Sequence, residues 1–421
     1  MVRLAFGKSG LELDLPERMR VEVLEARSAS PLADPLRALE EALDGPVGCS
    51  ALLEMARGKG SAAISVCDIT RPAPNRVVLP LVLRRLEAAG VPRSGIRILI
   101  ATGLHRPATE AEIREIVGEE IAASYEVLNH HAKVREEHRY LGETSTGTPV
   151  WIDERFVSAE LRLTLGFIEP HLMLGYSGGR KLVAPGLAGQ ETIKVLHSPK
   201  FMREPKAVEG SIDDNPLHRE LLEIARMAGQ EFIVDVALAQ DRRIAGVFAG
   251  HPEKAHREGV RFVSSVLAQT MERAADLVIT TGAGYPLDLT FYQAIKGVTA
   301  AARLVRPGGR ILLCAECSEG SGGREFTELI GKYATPEEYL EGIRGQDVIV
   351  DQWQLEKLAL VARQVEMHWY VPGLPEQYWS GVWGRVHPTF ESAVTEAVRG
   401  LGDGSVMAVV PDGPYVLARA A

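Results

Sequence analysis

The stretch SAAISVCDITRPAPNRVVLPLVLRRLEAAG, residues 61–90, followed by IRILIATGLHRPATEAEIREIVG, residues 96–118, decides the fold. In the first part an apolar run stops at Asp68 and a proline-limited loop carries Thr70 and Arg71. Apolar residues then return at helical spacing until Gly90 closes the helix. The second part repeats the order: a buried strand, a loop holding His105, and a helix that starts at Thr109. Strand, loop, helix, strand, loop, helix is the pattern of an α/β domain with a parallel sheet. Ligands of such sheets bind beyond the carboxyl ends of the strands, where loops lead into helices. Arg71 and His105 are therefore aimed at one crevice.

Downstream, LRLTLGFI (161–168) reads as a third such strand, and the turn after it delivers His171. The segment Phe167–His197 then brings together His171, Lys181, His197 and the glycines Gly175, Gly178, Gly179, Gly186 and Gly189. It is too glycine-rich to be one helix or one strand. Glycines at this density let a ligand approach the main chain and let backbone N–H groups turn toward an anion, so a cofactor loop with N–H groups near a phosphate is expected. GYSGGRKL is not a nucleotide P-loop, because it lacks the four-residue gap between glycines and the hydroxyl residue after the lysine.

Residues Val2–Val23 alternate apolar and polar side chains, as in an edge hairpin, and PLADPLRALEEAL predicts a short helix ending near Gly45. After the glycine loop, ETIKVLH is a short helix ending in His197, NPLHRELLEIARMAG is a longer one, and EFIVDVALA with RIAGVFAG reads as a hairpin around Asp241. PEKAHREGVRFVSSVLAQTMERA is the longest helix of this half. The pattern restarts with the strand ADLVITTG, the helix DLTFYQAIKGVTAAARLV and the strand GRILLCAEC. Helices follow at TPEEYLEGIRG and DQWQLEKLALVARQVEM, and Val406–Ala418 predicts two short strands.

The expectation is an α/β protein of two domains, each with a largely parallel sheet flanked by helices and with the active site in the cleft between them. The boundary falls near Glu272–Asp276, giving an N-terminal cofactor-binding domain over 1–272 and a C-terminal α/β domain over 273–389, with the tail 390–421 returning to the first.

A chain of 421 residues, 46% apolar and 24% charged, can bury two cores. The formal charge of −9 and a pI near 5.8 argue against a nucleic-acid partner, which calls for clustered excess Lys and Arg. No apolar run is long enough to span a membrane, and the start reads as neither leader nor anchor, so a cytoplasmic protein is expected. Four cysteines (Cys49, Cys67, Cys314, Cys317) do not make a disulfide framework, and the lone C-x-x-C of Cys314 and Cys317 lacks a second ligand pair. His130, His131, His251, His256, His368 and His387 have no spacing that forces a site and read as solvated or structural. Gln293 and Lys296 share a helix face in YQAIKG.

Taken together, DITRPAPN, TGLHRP, PHLMLGYSGGRKLVAPG, VLH and YQAIKG resemble the nickel-dependent lactate racemase family, over a span from about Cys67 to beyond Lys296. The resemblance implies a nickel-pincer nucleotide cofactor, a pyridinium-3-thioamide-5-thiocarboxylic acid mononucleotide in which nickel bonds a ring carbon and two sulfurs. It implies covalent attachment through Lys181, a nickel ligand at His197, and acid/base histidines at His105 and His171. Arg71, Gln293 and Lys296 match positions that hold the substrate carboxylate or its neighbours, Asp68, Thr70 and Tyr292 match positions lining the cofactor site, and Trp353 corresponds to a pocket tryptophan. Cofactor-biosynthesis and nickel-insertion proteins are the implied partners, and a small 2-hydroxy acid, lactate by default, is the implied substrate.

The residue types suit that chemistry. Pulling the α-proton from a 2-hydroxy acid sets a second negative charge beside the carboxylate; moving hydrogen as hydride avoids it. The alcohol loses its O–H proton to a base, a planar 2-keto acid forms, and hydride returned to the other face inverts the centre. Histidines suit either direction because their ordinary pKa lies near 6.5. An arginine fork holds a carboxylate in two hydrogen bonds, a lysine adds a mobile charge, and neutral imidazole suits nickel. Two other readings remain at this point. A pyridoxal phosphate enzyme would keep the lysine but needs an acidic partner for the ring nitrogen; a non-catalytic nickel or cofactor carrier needs only His197 and Lys181. Within the family, a larger 2-hydroxy acid or a sugar acid is the alternative substrate.

Overall fold

A computed structural model describes residues 1–421, and the chain divides into two compact units. One comprises Ser28–Leu196 and Lys206–Val266; the other comprises Met1–Arg27, His197–Pro205 and Leu267–Ala421.

The first unit is built on a six-stranded sheet. Its order is Ile244–Gly250, Phe232–Leu238, Leu161–Phe167, Ala62–Cys67, Ile96–Ala101 and Glu126–Asn129. Five strands are parallel; Ile244–Gly250 runs antiparallel at one edge. All six residues of Ala62–Cys67 are buried, as expected of a central strand covered on both faces. From this strand the chain first winds outward through Ile96–Ala101 to Glu126–Asn129, then returns to the other side with Leu161–Phe167. The strand order therefore reverses between Ala62–Cys67 and Leu161–Phe167, and a crevice opens above their carboxyl ends. The predicted strands and the helices Asn75–Ala88 and Glu110–Val117 are present. Thr109 caps the second helix in a capping box with Glu112.

In the second unit all six sheet strands are parallel, in the order Arg385–Val386, Glu366–Tyr370, Val305–Cys314, Ala275–Thr281, Val406–Val410 and Arg20–Val23. Four expectations are corrected here. The tail 390–421 does not return to the first unit: Val406–Val410, buried throughout, fills the slot between Ala275–Thr281 and Arg20–Val23. An apolar strand of this kind needs a neighbour on each side, and those neighbours are in this sheet. For the same reason the N-terminal segment, including the antiparallel hairpin Val2–Leu4 with Leu11–Leu13, belongs with this unit. The helix starting at Pro252 stops at Leu267, because Gln269–Met271 pairs with Ala418–Ala420; likewise the helix Gln352–Ala362 gives way to the strand Glu366–Tyr370.

The short insertion His197–Pro205 is tied to the helix Gln352–Ala362. Arg203 Nε donates to Glu356 Oε1 at 2.7 Å, and Lys357 Nζ donates to the Met202 carbonyl at 2.8 Å. Burial raises the Glu356 carboxyl and lowers the Lys357 ammonium to about 8. No helix is long and apolar enough to cross a membrane.

Candidate active site

Strand ends position the reactive groups of the first unit. Asp68 directly follows Ala62–Cys67, and its carboxylate is 6% exposed. It accepts from Thr70 Oγ1 at 2.7 Å and lies 2.7 Å from Nδ1 of His105, whose ring is half exposed. Burial pushes the Asp68 carboxyl up, but hydrogen bonds from His105 and Thr70, with the charge of Arg71, leave it below the usual carboxylate range. An ionised carboxylate only accepts, so Nδ1 carries the proton and Nε2 presents a lone pair.

Arg71 is exposed, and it borders a cleft of about 430 Å³ along Asp68–Arg76, closed by Glu115, Ile116 and Arg242. Its size is within the range of small-molecule sites.

Lys181 sits on the neighbouring loop, in the short 3-10 turn Gly179–Leu182. Ser65 Oγ, on the Asp68 strand, donates to the Leu182 carbonyl at 2.8 Å and holds this turn over the sheet. Burial, and then the positive charge of Arg71, lower the Lys181 ammonium to about 7. His171 lies in the two-residue strand Pro170–His171, paired with Gly175–Tyr176, and its Nδ1 faces the Leu174 N–H at 3.4 Å.

The glycine loop gathers carbonyls around a buried cation. Arg180, 1% exposed, donates to the carbonyls of Leu174, Tyr176, Ser177 and Gly178 at 2.8–3.2 Å and lies 2.8 Å from His256 Nε2. Burial lowers its pKa to about 9. Gly178, at φ +83°, leaves room for Asp235: a Cβ there would lie 2.6 Å from Asp235 Oδ2. Asp235 is fully buried, and burial raises its carboxyl to about 7 against the pull of the Gly179 amide and Arg180. His256, unassigned in the sequence, is a buried strut that also contacts the Ser177 carbonyl at 2.8 Å. Asp235 left one signal, a charge in the middle of the apolar run FIVDVAL; Arg180 left none, since it reads as one more loop cation.

The second unit holds the remaining candidates. His197 follows the helix Gln190–Leu196, and its ring lies 4.5 Å from that of Trp353, between centroids. Tyr292, Gln293 and Lys296 lie on the helix Phe291–Ala301, capped by Thr290. Tyr292 packs edge-on against Phe326. Gln293 Oε1 is buried without a hydrogen-bond partner, the kind of orphan acceptor that calls for a ligand donor. Cys314 and Cys317 are buried free thiols whose pKa values burial pushes up. No three His, Cys, Asp or Glu side chains are placed to enclose a metal ion.

Two α/β units, the first with the Asp68–His105 hydrogen bond and the Lys181 turn beside a strand-order reversal, frame the candidate site. Residues 6–210 match the lactate racemase N-terminal domain, and residues 270–418 match the lactate racemase C-terminal domain. The lactate racemase of Thermoanaerobacterium thermosaccharolyticum is 33% identical over 423 residues, covering 99% of each chain. That of Lactiplantibacillus plantarum is 35% identical over 388 residues, 90% of each. The structure of the T. thermosaccharolyticum lactate racemase apoprotein superposes with a TM-score of 0.91 at 32% identity over 99% of both chains. The chain belongs to the lactate racemase family.

Proposed function

We propose that this protein racemises a 2-hydroxy acid, lactate by default, with His105 and His171 as the two acid/base groups and Lys181 as the attachment point of a nickel-pincer nucleotide. The observation that carries this reading is the buried Asp68 carboxylate 2.7 Å from His105 Nδ1, next to a cation and a lysine lowered to about 7.

In this reading Arg71 holds the substrate carboxylate in a planar fork. His105 takes the hydroxyl proton at Nε2, and Asp68 stabilises the imidazolium that forms. Its role is thus to orient and charge a base, beyond lining a cofactor. The Leu174 N–H at Nδ1 of His171 favours the tautomer with Nε2–H, a donor for the opposite face. Gln293 and Lys296 hold the substrate's other oxygens, while Thr70 fixes Asp68 and Tyr292 and Trp353 line the site.

The residues fit the implied cofactor. Lys181 offers an amine that is nucleophilic at neutral pH, and His197 offers an imidazole to nickel. When bound, the cofactor supplies a hydride acceptor; the protein's own residues bind, orient and move protons. A carrier protein would have no use for the Asp68–His105 pair or Arg71.

The test is the intact mass and nickel content of protein made beside the cofactor-building enzymes, followed by peptide mapping and a lactate racemisation assay. A nucleotide-sized adduct on Lys181 with nickel and interconversion of D- and L-lactate is the expected result. Adduct and nickel without lactate turnover would move the substrate to a larger 2-hydroxy acid; neither adduct nor activity would sink the reading.

A further inference from the structure

The loop that carries His171 is clamped from behind, and the clamp acts on one ring nitrogen. We propose that Asn215 and Arg180 are positioning residues that hold the Leu174 N–H on Nδ1 of His171 and so fix this histidine in its Nε2–H tautomer. This rests on the reading above in taking His171 as an acid/base group, but the tautomer itself is measurable without cofactor or turnover.

His171 sits in the tight hairpin of Pro170–His171 with Gly175–Tyr176, and the Leu174 N–H points to its Nδ1 at 3.4 Å. That N–H shares a peptide plane with the Met173 carbonyl, which accepts from Nδ2 of Asn215 at 3.0 Å. The next carbonyl, of Leu174, accepts from Arg180 Nη2 at 3.1 Å. Two consecutive peptides are thus held by two side chains that are 0% and 1% exposed. Neither side chain has slack. The other Asn215 N–H goes to the Ser211 carbonyl at 2.9 Å, and its Oδ1 accepts from the Leu217 and His218 amides at the start of the helix Pro216–Met227. Arg180 is tied to the Tyr176, Ser177 and Gly178 carbonyls as well. The Gly210 amide adds a third hold, donating to the Gly175 carbonyl at 2.9 Å. Gly175 itself, at φ +76°, has no room for a side chain: a Cβ would lie 2.1 Å from the Ser211 carbonyl oxygen.

The effect on the ring follows from its inventory of protons. A neutral imidazole carries one N–H, and the hydrogen bond at one nitrogen decides which of the two holds it. An amide donor fixed at Nδ1 leaves the proton on Nε2. Were the Met173–Leu174 peptide to turn over, a carbonyl would face Nδ1 and draw the proton there; the donors behind the loop oppose that turn. His105 is the opposite case, since Asp68 keeps the proton on Nδ1 and leaves a lone pair on Nε2. The two histidines are therefore locked in opposite tautomers, one ready to accept a proton and one ready to give it.

The experiment labels the histidines of the full chain with nitrogen-15 and records long-range proton–nitrogen spectra at about pH 8, above the ordinary histidine pKa. His171 is assigned by the signals lost in His171→Gln. The expected wild-type result is Nδ1 at the shift of an unprotonated nitrogen and Nε2 at that of a protonated one. Asn215→Asp keeps an oxygen to cap the helix and removes the donor to Met173; Arg180→Lys keeps the charge and removes the planar fork. Both should move the two His171 shifts toward each other as the tautomers mix. Leu43→Ala, a core lesion in the helix Pro35–Asp44, should lower the melting temperature and leave those shifts in place. In the loaded enzyme, Asn215→Asp should lower kcat for lactate about tenfold or more, with KM changed by less than about twofold. A proton on Nδ1 of His171 in the wild type, or unmoved shifts in folded variants, overturns the proposal. Asn215→Ser repeats the test with a smaller change should Asn215→Asp not fold; loss of folding in all three variants assigns both residues to the fold alone and overturns it too. The two readings fail separately: racemisation with His171 in the other tautomer removes only this one, and a fixed Nε2–H tautomer in a chain that takes neither adduct nor substrate removes only the other.

Discussion

Two lysines in this molecule are lowered by burial, and their surroundings differ in kind. Lys357 has its Nζ on the Met202 carbonyl at 2.8 Å, with Glu356 next to it in sequence and Arg203 on that carboxylate. Arg203 and Lys357 each have a hydrogen-bond partner there, and the result is to fasten His197–Pro205 to a helix. Lys181 has Arg71 and Arg180 acting against its charge, with only Glu169 and Cys67 acting for it. The lesson is that burial alone does not set a lysine's role; a partnered ammonium is a rivet, and one opposed by a neighbouring cation is the better candidate for a nucleophile.

The largest expected effect comes from Lys181→Arg. It should eliminate the covalent adduct and all racemisation while leaving the circular dichroism spectrum unchanged; Lys357→Met should leave adduct formation at Lys181 intact. Adduct on the Arg variant, seen by intact mass, would end the comparison at once. Next, Asp68→Asn should lower racemase turnover by roughly 10²–10⁴ fold, because the amide cannot stabilise the His105 imidazolium. Near-normal turnover there would reduce Asp68 to a lining residue.

Gly178→Ala forces a Cβ to within 2.6 Å of Asp235 Oδ2 at φ +83°. It should cost on the order of 1–3 kcal/mol in chemical denaturation and also slow Lys181 labelling by an amine reagent. A smaller change is expected on the other side of the comparison: Lys357→Met should cost about 0.5–2 kcal/mol, since Glu356 is left with Arg203 but Met202 loses its donor.

The contrast is also sharpened through pH. A lysine lowered from 10.5 to about 7 binds its proton less well folded than unfolded. Stability therefore rises as pH increases from about 7 toward 10.5, and the full penalty is present below 7. Lys181→Met should raise the melting temperature at pH 6, with the gain fading as pH climbs toward 10.5. A pH-independent gain would mean that the lysine is ordinary in its ionisation.

Much of the first unit was legible in its chain. Fully apolar runs such as Ala62–Cys67, with helical periodicity after each loop, left little choice but a parallel sheet, and the strand ends then located Arg71, His105 and His171. The second unit was harder to read. Its tail was placed with the wrong sheet because Val406–Val410 is apolar on every residue and carries no mark of which strands it will join. The first two residues of Glu366–Tyr370 continue the expected helix, because short apolar runs have no decisive period. The hairpin His138–Glu143 with Pro149–Asp153 went unread.

What the sequence determined by itself is local: which segments are strands or helices, which residues sit at strand ends, and, through five short segments, membership of the lactate racemase family. What only the tertiary structure decided is who faces whom. Asp68 became the partner of His105, Arg180 the centre of the glycine loop, and Lys181 a lysine whose charge burial and then Arg71 oppose. Those outcomes depend on hydrogen bonds and desolvation between residues far apart in the chain, and neither periodicity nor composition carries that information.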